Sequence, residues 1–331
     1  MFLTRTPVRV SLFGGGTDYP EYFQRRPGAV IGMTINRYIN IAAIRLTNIQ
    51  EYRYRLSYSK LELPSRVEDI KHPVVREVLK YFGYEKPLDI SVMSDLPGSG
   101  SGLGSSSAFT VGFLKLVHAL TDTPSTKIDL ARTAIMVERE LLKENVGVQD
   151  QLHASFGGIN RFDFGADSIQ ITPIQLSADT LIALNQSMLL IHTGIVRRAT
   201  DVIEEQIELT KTEKLDRDLH HLFEMVEAGT NCLQSGTSVC LREIGGMLNE
   251  SWKIKRSLSG AISNARIDEL YAVLIEEGAY GAKLCGAGGG GFMLALGDPS
   301  ALIRIQERLK GKAETLPISL DTEGSRVLLH D

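Results

Sequence analysis

The chain has 331 residues and sets 36 lysines and arginines against 40 aspartates and glutamates, for a formal charge of −4. That is enough polypeptide for two domains, or for one large two-lobed domain with a substantial core. The weak charge supplies no overall basic field for nucleic acid or an anionic membrane, so an anionic ligand has to meet a local cluster of cations.

Cys232, Cys240 and Cys285 are odd in number and form no CxxC pair. They read as reduced thiols of a cytoplasmic protein, with neither a disulfide framework nor structural zinc. The N-terminal stretch carries Arg5 and Arg9 but no apolar run of signal-peptide length, and no run of about 18 apolar residues follows. Neither export by that route nor a membrane span is expected.

In chain order, residues 8–13 alternate as a strand before the turn Gly14-Gly15-Gly16, and residues 38–46 and 88–93 are also strand-like. From Phe109, the residues Phe113, Leu116, Val117 and Leu120 recur at helical spacing, and 128–143 predicts a second helix. After Gly157-Gly158, residues 160–174 read as short strands and turns, followed by a buried strand over 187–192. A boundary between 165 and 185 divides the chain into 1–175 and 176–331. The charged, amphipathic stretch 199–230 and the segments 241–261 and 267–277 make the second half helix-rich, with a turn at Ser263-Asn264. Residues 283–296 place a glycine run between helix and strand, and 316–329 predicts a hairpin around Thr322-Glu323-Gly324. Strands and helices mix without a regular βαβ beat, which predicts an α+β fold.

The most informative stretch is Pro97-Gly-Ser-Gly-Ser-Gly-Leu-Gly-Ser-Ser-Ser-Ala108. Glycines let backbone N–H groups approach phosphate oxygens, a helix N-terminus adds its positive dipole end, and serine hydroxyls bond phosphate or ligate Mg²⁺. A flexible linker or an N-capped turn has a similar composition. Its position between a strand and a periodic helix favours an ordered loop. It is not a Walker A loop, which needs Gly-Lys-Ser/Thr, and it lacks the spacing and downstream acid of a dinucleotide site. Two further runs, Gly14-Gly15-Gly16-Thr17-Asp18 and Gly286-Ala287-Gly288-Gly289-Gly290-Gly291, could each be a tight turn or a close backbone contact. Three such loops in one chain point to a ligand.

In this order the three segments resemble the motifs of the GHMP kinase family, named for its galactokinase, homoserine kinase, mevalonate kinase and phosphomevalonate kinase members. The first is Pro7-Val-Arg9-Val-Ser-Leu-Phe-Gly14-Gly-Gly-Thr17-Asp18, the second Gly102-Leu-Gly104-Ser-Ser106-Ser-Ala108, the third Lys283-Leu-Cys-Gly286-Ala-Gly288-Gly-Gly-Gly291-Phe. Within the family, four stretches resemble the bacterial D-glycero-D-manno-heptose 7-phosphate kinases more than the galactokinases. They are Gly14-Gly-Gly-Thr-Asp18, His192-Thr-Gly194-Ile-Val-Arg197-Arg198-Ala199, Trp252-Lys-Ile-Lys255-Arg256-Ser-Leu-Ser and Ile262-Ser-Asn264-Ala-Arg-Ile-Asp268. One departure is that four residues separate Pro97 from Gly102, one more than the family pattern.

The resemblance implies a two-domain α+β fold: a ribosomal protein S5 domain 2-like N-terminal domain with a left-handed crossover, and a ferredoxin-like C-terminal domain. It implies ATP and Mg²⁺, with ATP phosphates held by Gly100, Ser101, Gly102, Leu103, Gly104, Ser105, Ser106 and Ser107, and the metal by Ser106 and Glu138. Asp150 matches the carboxylate that takes or orients the hydroxyl proton, and Arg9 the cation paired with it. Thr17, Asp18, Gly157 and Gly288 are carried over as sugar-side positions. Without the resemblance, Asp150 would read as surface charge and Asp18 equally as an Asx turn.

A phosphate on the sugar calls for guanidinium or ammonium groups, for which Arg197, Arg198, Lys253 and Arg256 are the candidates. Arg197 and Arg198 could equally be a solvated first turn. Lys253 and Arg256 share a helix face, with Lys255 pointing away from it and Trp252 in the core. The expected reaction is transfer to the anomeric hydroxyl of a heptose 7-phosphate in nucleotide-activated heptose synthesis. A kinase of an unphosphorylated sugar such as L-fucose or galactose, and a silent sugar- or nucleotide-binding regulator, are the alternatives. Neither nucleic acid nor membrane is an expected partner, and a homodimer is left open.

Overall fold

The computed structural model describes residues 1–47, 49–97, 100–196, 200–236 and 240–330. Strand β1 (Phe2–Phe13) is buried on both faces from Thr6 onward, which weakens its alternation in the sequence. After the short helix α1 (Pro20–Phe23), the long strand β2 (Gly28–Arg45) pairs with β1 antiparallel, and the register slips between Pro7 and Arg9. Pro7 has no N–H to give the ladder, and the irregularity beside it re-aims Arg9. Arg9 N instead donates to Leu103 O at 2.9 Å.

The first half continues through β3 (Tyr54–Ser57), β4 (Leu61–Glu62), α2 (Pro73–Tyr81), β5 (Leu88–Ser94) and α3 (Ser105–Leu120). There follow α4 (Lys127–Met136), α5 (Gln149–Phe156), β6 (Ile159–Gly165) and β7 (Ser168–Pro173). Helix α3 lies on β1 and β2 with nearly every side chain buried. Residues 128–143 do not form one straight helix, because α4 runs into a π-helical turn, Val137–Leu141. Such turns rotate side chains out of helical register, and this one carries Glu138 inward to full burial.

The second half comprises α6 (Ala178–Gln186), β8 (Met188–His192), α7 (Thr200–Lys211), α8 (Asp216–Gln234), α9 (Cys240–Ser257) and α10 (Ala265–Glu276). It ends with β9 (Gly281–Leu284), β10 (Phe292–Leu296), α11 (Pro299–Leu309), β11 (Thr315–Pro317) and β12 (Arg326–Leu329). Strands β8 to β11 form an antiparallel sheet ordered β11-β8-β10-β9. The larger sheet runs β12-β1-β2-β5-β3-β4, with β6 on the first half of β2 and β7 on β6. No described helix is long and apolar enough to cross a membrane.

Two expectations are corrected. The glycine run 286–291 joins two strands, β9 and β10, and not a helix to a strand. Residues 316–329 are not a hairpin: β11 belongs to the small sheet and β12 pairs with β1 in the large one. The turn itself exists, with Asp321 Oδ1 accepting from Glu323 N at 3.1 Å and Gly324 N at 3.0 Å. Its flanks diverge because a bridge from Leu320 to Ile35 of β2 draws the chain across to the large sheet. Trp252 is fully buried, as expected for a core residue.

Candidate active site

The bulge in β1 aims Arg9 at the start of α5, where Asp150 sits in the first turn. Arg9 Nε donates to Asp150 Oδ1 at 2.8 Å and Nη2 to Oδ2 at 2.7 Å, a bidentate pair. Arg9 Nη1 donates to Gly102 O at 2.7 Å, so the same guanidinium fixes the second glycine loop. Gly104, left-handed at φ 71°, caps α3; a Cβ there would lie 3.1 Å from Asp150 Oδ2 and 3.3 Å from Arg9 Cγ. Only a glycine lets the loop press this closely on the pair. The first-turn amides of Ser105, Ser106 and Ser107 lack intrahelical partners, an arrangement suited to phosphate.

The first glycine run brings Asp18 to the same place. Asp18 is 1% exposed. Its Oδ1 accepts from Gly16 N at 3.0 Å and its Oδ2 from Gln149 N at 3.4 Å. Burial, and next the charge of Asp150, push its carboxyl above the usual range. Thr17 does not face a ligand: its hydroxyl donates to Gly14 O and Ala29 O, both at 2.8 Å, and accepts from Ala29 N at 3.0 Å. It is a strut of the turn.

The third run packs backbone to backbone on the second. A Cβ on Gly286 would lie 2.5 Å from Gly102 Cα, one on Gly102 2.5 Å from Cys285 O, and one on Gly291 2.5 Å from Ser101 O. Phe292 N donates to Ser101 O at 3.0 Å, closing the seam between the two sheets. Ser101 Oγ and Ser105 Oγ bond each other at 2.8 Å inside the loop. Gly288 presses on Ile262, whose Cα would lie 3.0 Å from a Cβ at that position.

Glu138 is 0% exposed. Its Oε2 accepts from Ser107 Oγ at 2.8 Å and Gln151 Nε2 at 2.5 Å, while Oε1 has no partner. Burial pushes its carboxyl up to about 7. The serine that touches Glu138 is therefore Ser107. Ser106, the expected one, is exposed beside it, since successive helical residues turn by about 100°. Among the described residues no group of three or more His, Cys, Asp or Glu side chains could hold a metal unaided. A lone buried carboxylate with an unused oxygen fits a cation whose other ligands come from a polyphosphate and water, the habit of Mg²⁺.

The remaining expected residues are not brought together here. Gly157 ends α5, about 10 Å along the helix from Asp150 at 1.5 Å per residue, and packs on Gly324, whose N would lie 2.1 Å from a Cβ. Lys253 is exposed, and Arg256 is exposed in a 3.4 Å ion pair with Asp268. Arg197 and Arg198 lie outside the described residues. Two lysines were missed. Lys283 is 5% exposed and donates to Leu12 O at 2.8 Å. Lys255, read as pointing away from the face of Lys253 and Arg256, does so: that face is exposed, and Lys255 turns inward and donates to Gly286 O. Its signal lay in the buried face of α9, which runs Leu241, Ile244, Leu248, Ser251 and Trp252 and continues at helical spacing to residue 255.

Residues 69–158 match the GHMP kinases N terminal domain and residues 238–314 the GHMP kinases C terminal family. Over 318 residues the chain is 31% identical to D-glycero-alpha-D-manno-heptose 7-phosphate kinase of Campylobacter jejuni, spanning 93% of this chain and 92% of that enzyme. It is 26% identical to part of a bifunctional fucokinase/GDP-fucose pyrophosphorylase of Arabidopsis thaliana, over 93% of this chain and 31% of that protein. The fold is similar to that of a D-glycero-D-manno-heptose 1-phosphate kinase from Bacteroides thetaiotaomicron, with a TM-score of 0.81, 21% identity and 99% of each chain covered. The chain belongs to the GHMP kinase family and is a phosphotransferase that uses ATP to phosphorylate a sugar hydroxyl.

Proposed function

We propose that the acceptor is a D-glycero-D-manno-heptose 7-phosphate and that the phosphoryl group goes to its anomeric C1 hydroxyl, giving the 1,7-bisphosphate. The observation that carries this reading is the Arg9–Asp150 pair closed beneath Gly102 and Gly104, at bond lengths of 2.7–2.8 Å, in a chain 31% identical to a heptose 7-phosphate kinase. Phosphoryl transfer asks the protein mainly for positioning and for positive charge around the transferred group. Asp150 orients the attacking hydroxyl and takes its proton as the bond to phosphorus forms. Arg9 holds that carboxylate in place through its bidentate contact and supplies charge on the side of the incoming phosphoryl group. Asp18, held by Gly16 N and Gln149 N, accepts from a sugar hydroxyl. Gly100 to Ser107 wrap the ATP phosphates with the first-turn amides of α3.

Glu138, with the first-turn serine hydroxyls of Ser107 and Ser106 beside it, would hold Mg²⁺. When bound, that ion neutralises charge on the ATP phosphates. The orphaned Oε1 of Glu138 supports this assignment.

A second reading is a kinase of an unphosphorylated sugar such as L-fucose. It is favoured by the exposed, solvent-directed positions of Lys253 and Arg256, which leave no phosphate clamp on that helix face. A coupled ADP-release assay with heptose 7-phosphate, L-fucose, galactose and mannose separates the two, with phosphorus NMR of the product locating the new ester. Turnover of the free sugars alone would refute the heptose phosphate reading. Asp150→Asn should lower kcat by about 10²–10⁴-fold, the range for a positioned acid–base group.

A further inference from the structure

Lys255 lies on α9, in the second half of the chain, yet its ammonium is seated at the seam of the two glycine loops. It donates to Gly286 O; Gly286 packs directly on Gly102; and Gly102 O accepts from Arg9 at 2.7 Å. Two glycines, Gly286 and Gly102, therefore link Lys255 to the Arg9–Asp150 pair. Among the described residues no carboxylate stands within ion-pair distance of it, whereas Arg9 is paired with Asp150. Of its three donors, one is accounted for by Gly286 O. The groups that act on it electrostatically are Cys285, Arg9 and Asp18, all from the same centre. Burial dominates and lowers its pKa to about 8, so the cation is held there at a cost.

A half-buried ammonium without a counter-ion is unfavourable in the protein alone. Packing does not require it: methionine would extend the apolar face of α9 equally well. Its complement is an oxyanion arriving with the ligand, and the glycine seam around it is suited to phosphate. We propose that Lys255 binds a phosphoryl oxyanion at the catalytic centre. For a phosphate already on the sugar, the sequence nominated Arg197, Arg198, Lys253 and Arg256 instead. The inference rests on the sugar kinase activity of this site. It holds whether the oxyanion belongs to the phosphoryl group in transfer or to a phosphate already on the sugar.

The test is Lys255→Met with Lys255→Arg as the conservative variant, assayed on each sugar that the unaltered enzyme phosphorylates. If Lys255 meets the group in transfer, Lys255→Met lowers kcat about 10²–10³-fold on every acceptor, the loss typical of one donor to developing charge. Lys255→Arg restores part of it. If it meets the sugar's own phosphate, KM for the phosphorylated sugar rises at least tenfold while kcat on free sugars is kept. In both cases the melting temperature of Lys255→Met stays level or rises, because an uncompensated charge has been removed. Unchanged kcat and KM on all acceptors would overturn the proposal, as would an activity loss accompanied by a lower melting temperature. Failure of the unaltered enzyme on heptose 7-phosphate alone would sink the heptose assignment and leave this test to be read on the sugar that is turned over.

Discussion

Lys283 gives the site a measurable dependence of stability on pH. Burial, and next the charge of Lys255, with Arg9 adding to them, lower its pKa from 10.5 to about 7. In the unfolded chain the amine titrates near its ordinary value; in the folded chain it loses its proton near neutrality. Between these limits the unfolded state binds a proton that the native state does not, so raising the pH stabilises the fold. The slope is about 1.4 kcal/mol per pH unit, and over the whole window the gain is of order 5 kcal/mol. Below pH about 7 both states are protonated and the contribution is flat. Lys283→Met keeps the length of the stem and removes the titration. Urea unfolding followed by the fluorescence of Trp252, the single tryptophan, at pH 6, 7, 8 and 9 reads both proteins. The unaltered chain should gain on the variant steadily from pH 7 upward, with the variant at least as stable at pH 6. Lys255 contributes with the same sign from about 8, but it is present in both proteins and largely cancels in the difference. Parallel pH profiles would show that Lys283 titrates normally and would refute the reasoning.

Three further outcomes follow from distances already given. Glu138→Gln leaves the fold intact, because the amide can still bond Ser107, but it should raise the Mg²⁺ concentration for half-maximal activity tenfold or more; an unchanged Mg²⁺ titration would remove Glu138 from the metal site. Gly102→Ala places a Cβ 2.5 Å from Cys285 O at a φ of +74°, so it should cost about 1–2 kcal/mol for the left-handed backbone alone, seen as a lower melting temperature, and weaken ATP binding in calorimetry. Gly147→Ala places a Cβ 2.0 Å from Asp18 Oδ2 and displaces that carboxylate, so the sugar KM should rise several-fold with the ATP KM little changed; the reverse split would move Asp18 to the nucleotide side.

The parts of this molecule written in short stretches were readable and the parts set by distant contacts were not. Arg9, Asp18 and the loop around Gly102 each sit inside a glycine-marked segment whose composition already names an anion. The ends of β8 and α10 were readable because burial and an asparagine cap, Asn264, mark them locally; its side chain accepts from Arg266 N and Ile267 N. The tail failed because Thr322-Glu323-Gly324 does form a turn, and nothing local says that the strands on either side join different sheets. The glycine run 286–291 failed for a related reason: a backbone-to-backbone seam and a helix-leading loop need the same residue. The choice between Ser106 and Ser107 depends on the rotation set by one left-handed glycine, Gly104, which composition does not encode. Lys255 was legible in principle. Its direction, away from the exposed face of Lys253 and Arg256, is in the spacing, and the same spacing makes it complete the buried stripe of α9.

The seam of the glycine loops joins folding to catalysis. Gly102 and Ser101 belong to the segment leading into α3, and Gly286 and Gly291 to the β9–β10 connection of the other sheet, so the loop proposed to hold the nucleotide is shaped by a contact between the two sheets. Lys255 and Lys283 stand on the second-half side of that contact and Arg9 on the first, so three basic side chains gather at one seam. Arg9 is paired with Asp150, whereas neither lysine has a carboxylate partner among the described residues. An incoming polyphosphate would supply one. The cost of burying two lysines without counter-ions in the ligand-free chain would then be offset when a phosphate arrives, so the seam that shapes the loop and the affinity for phosphate share one electrostatic cause.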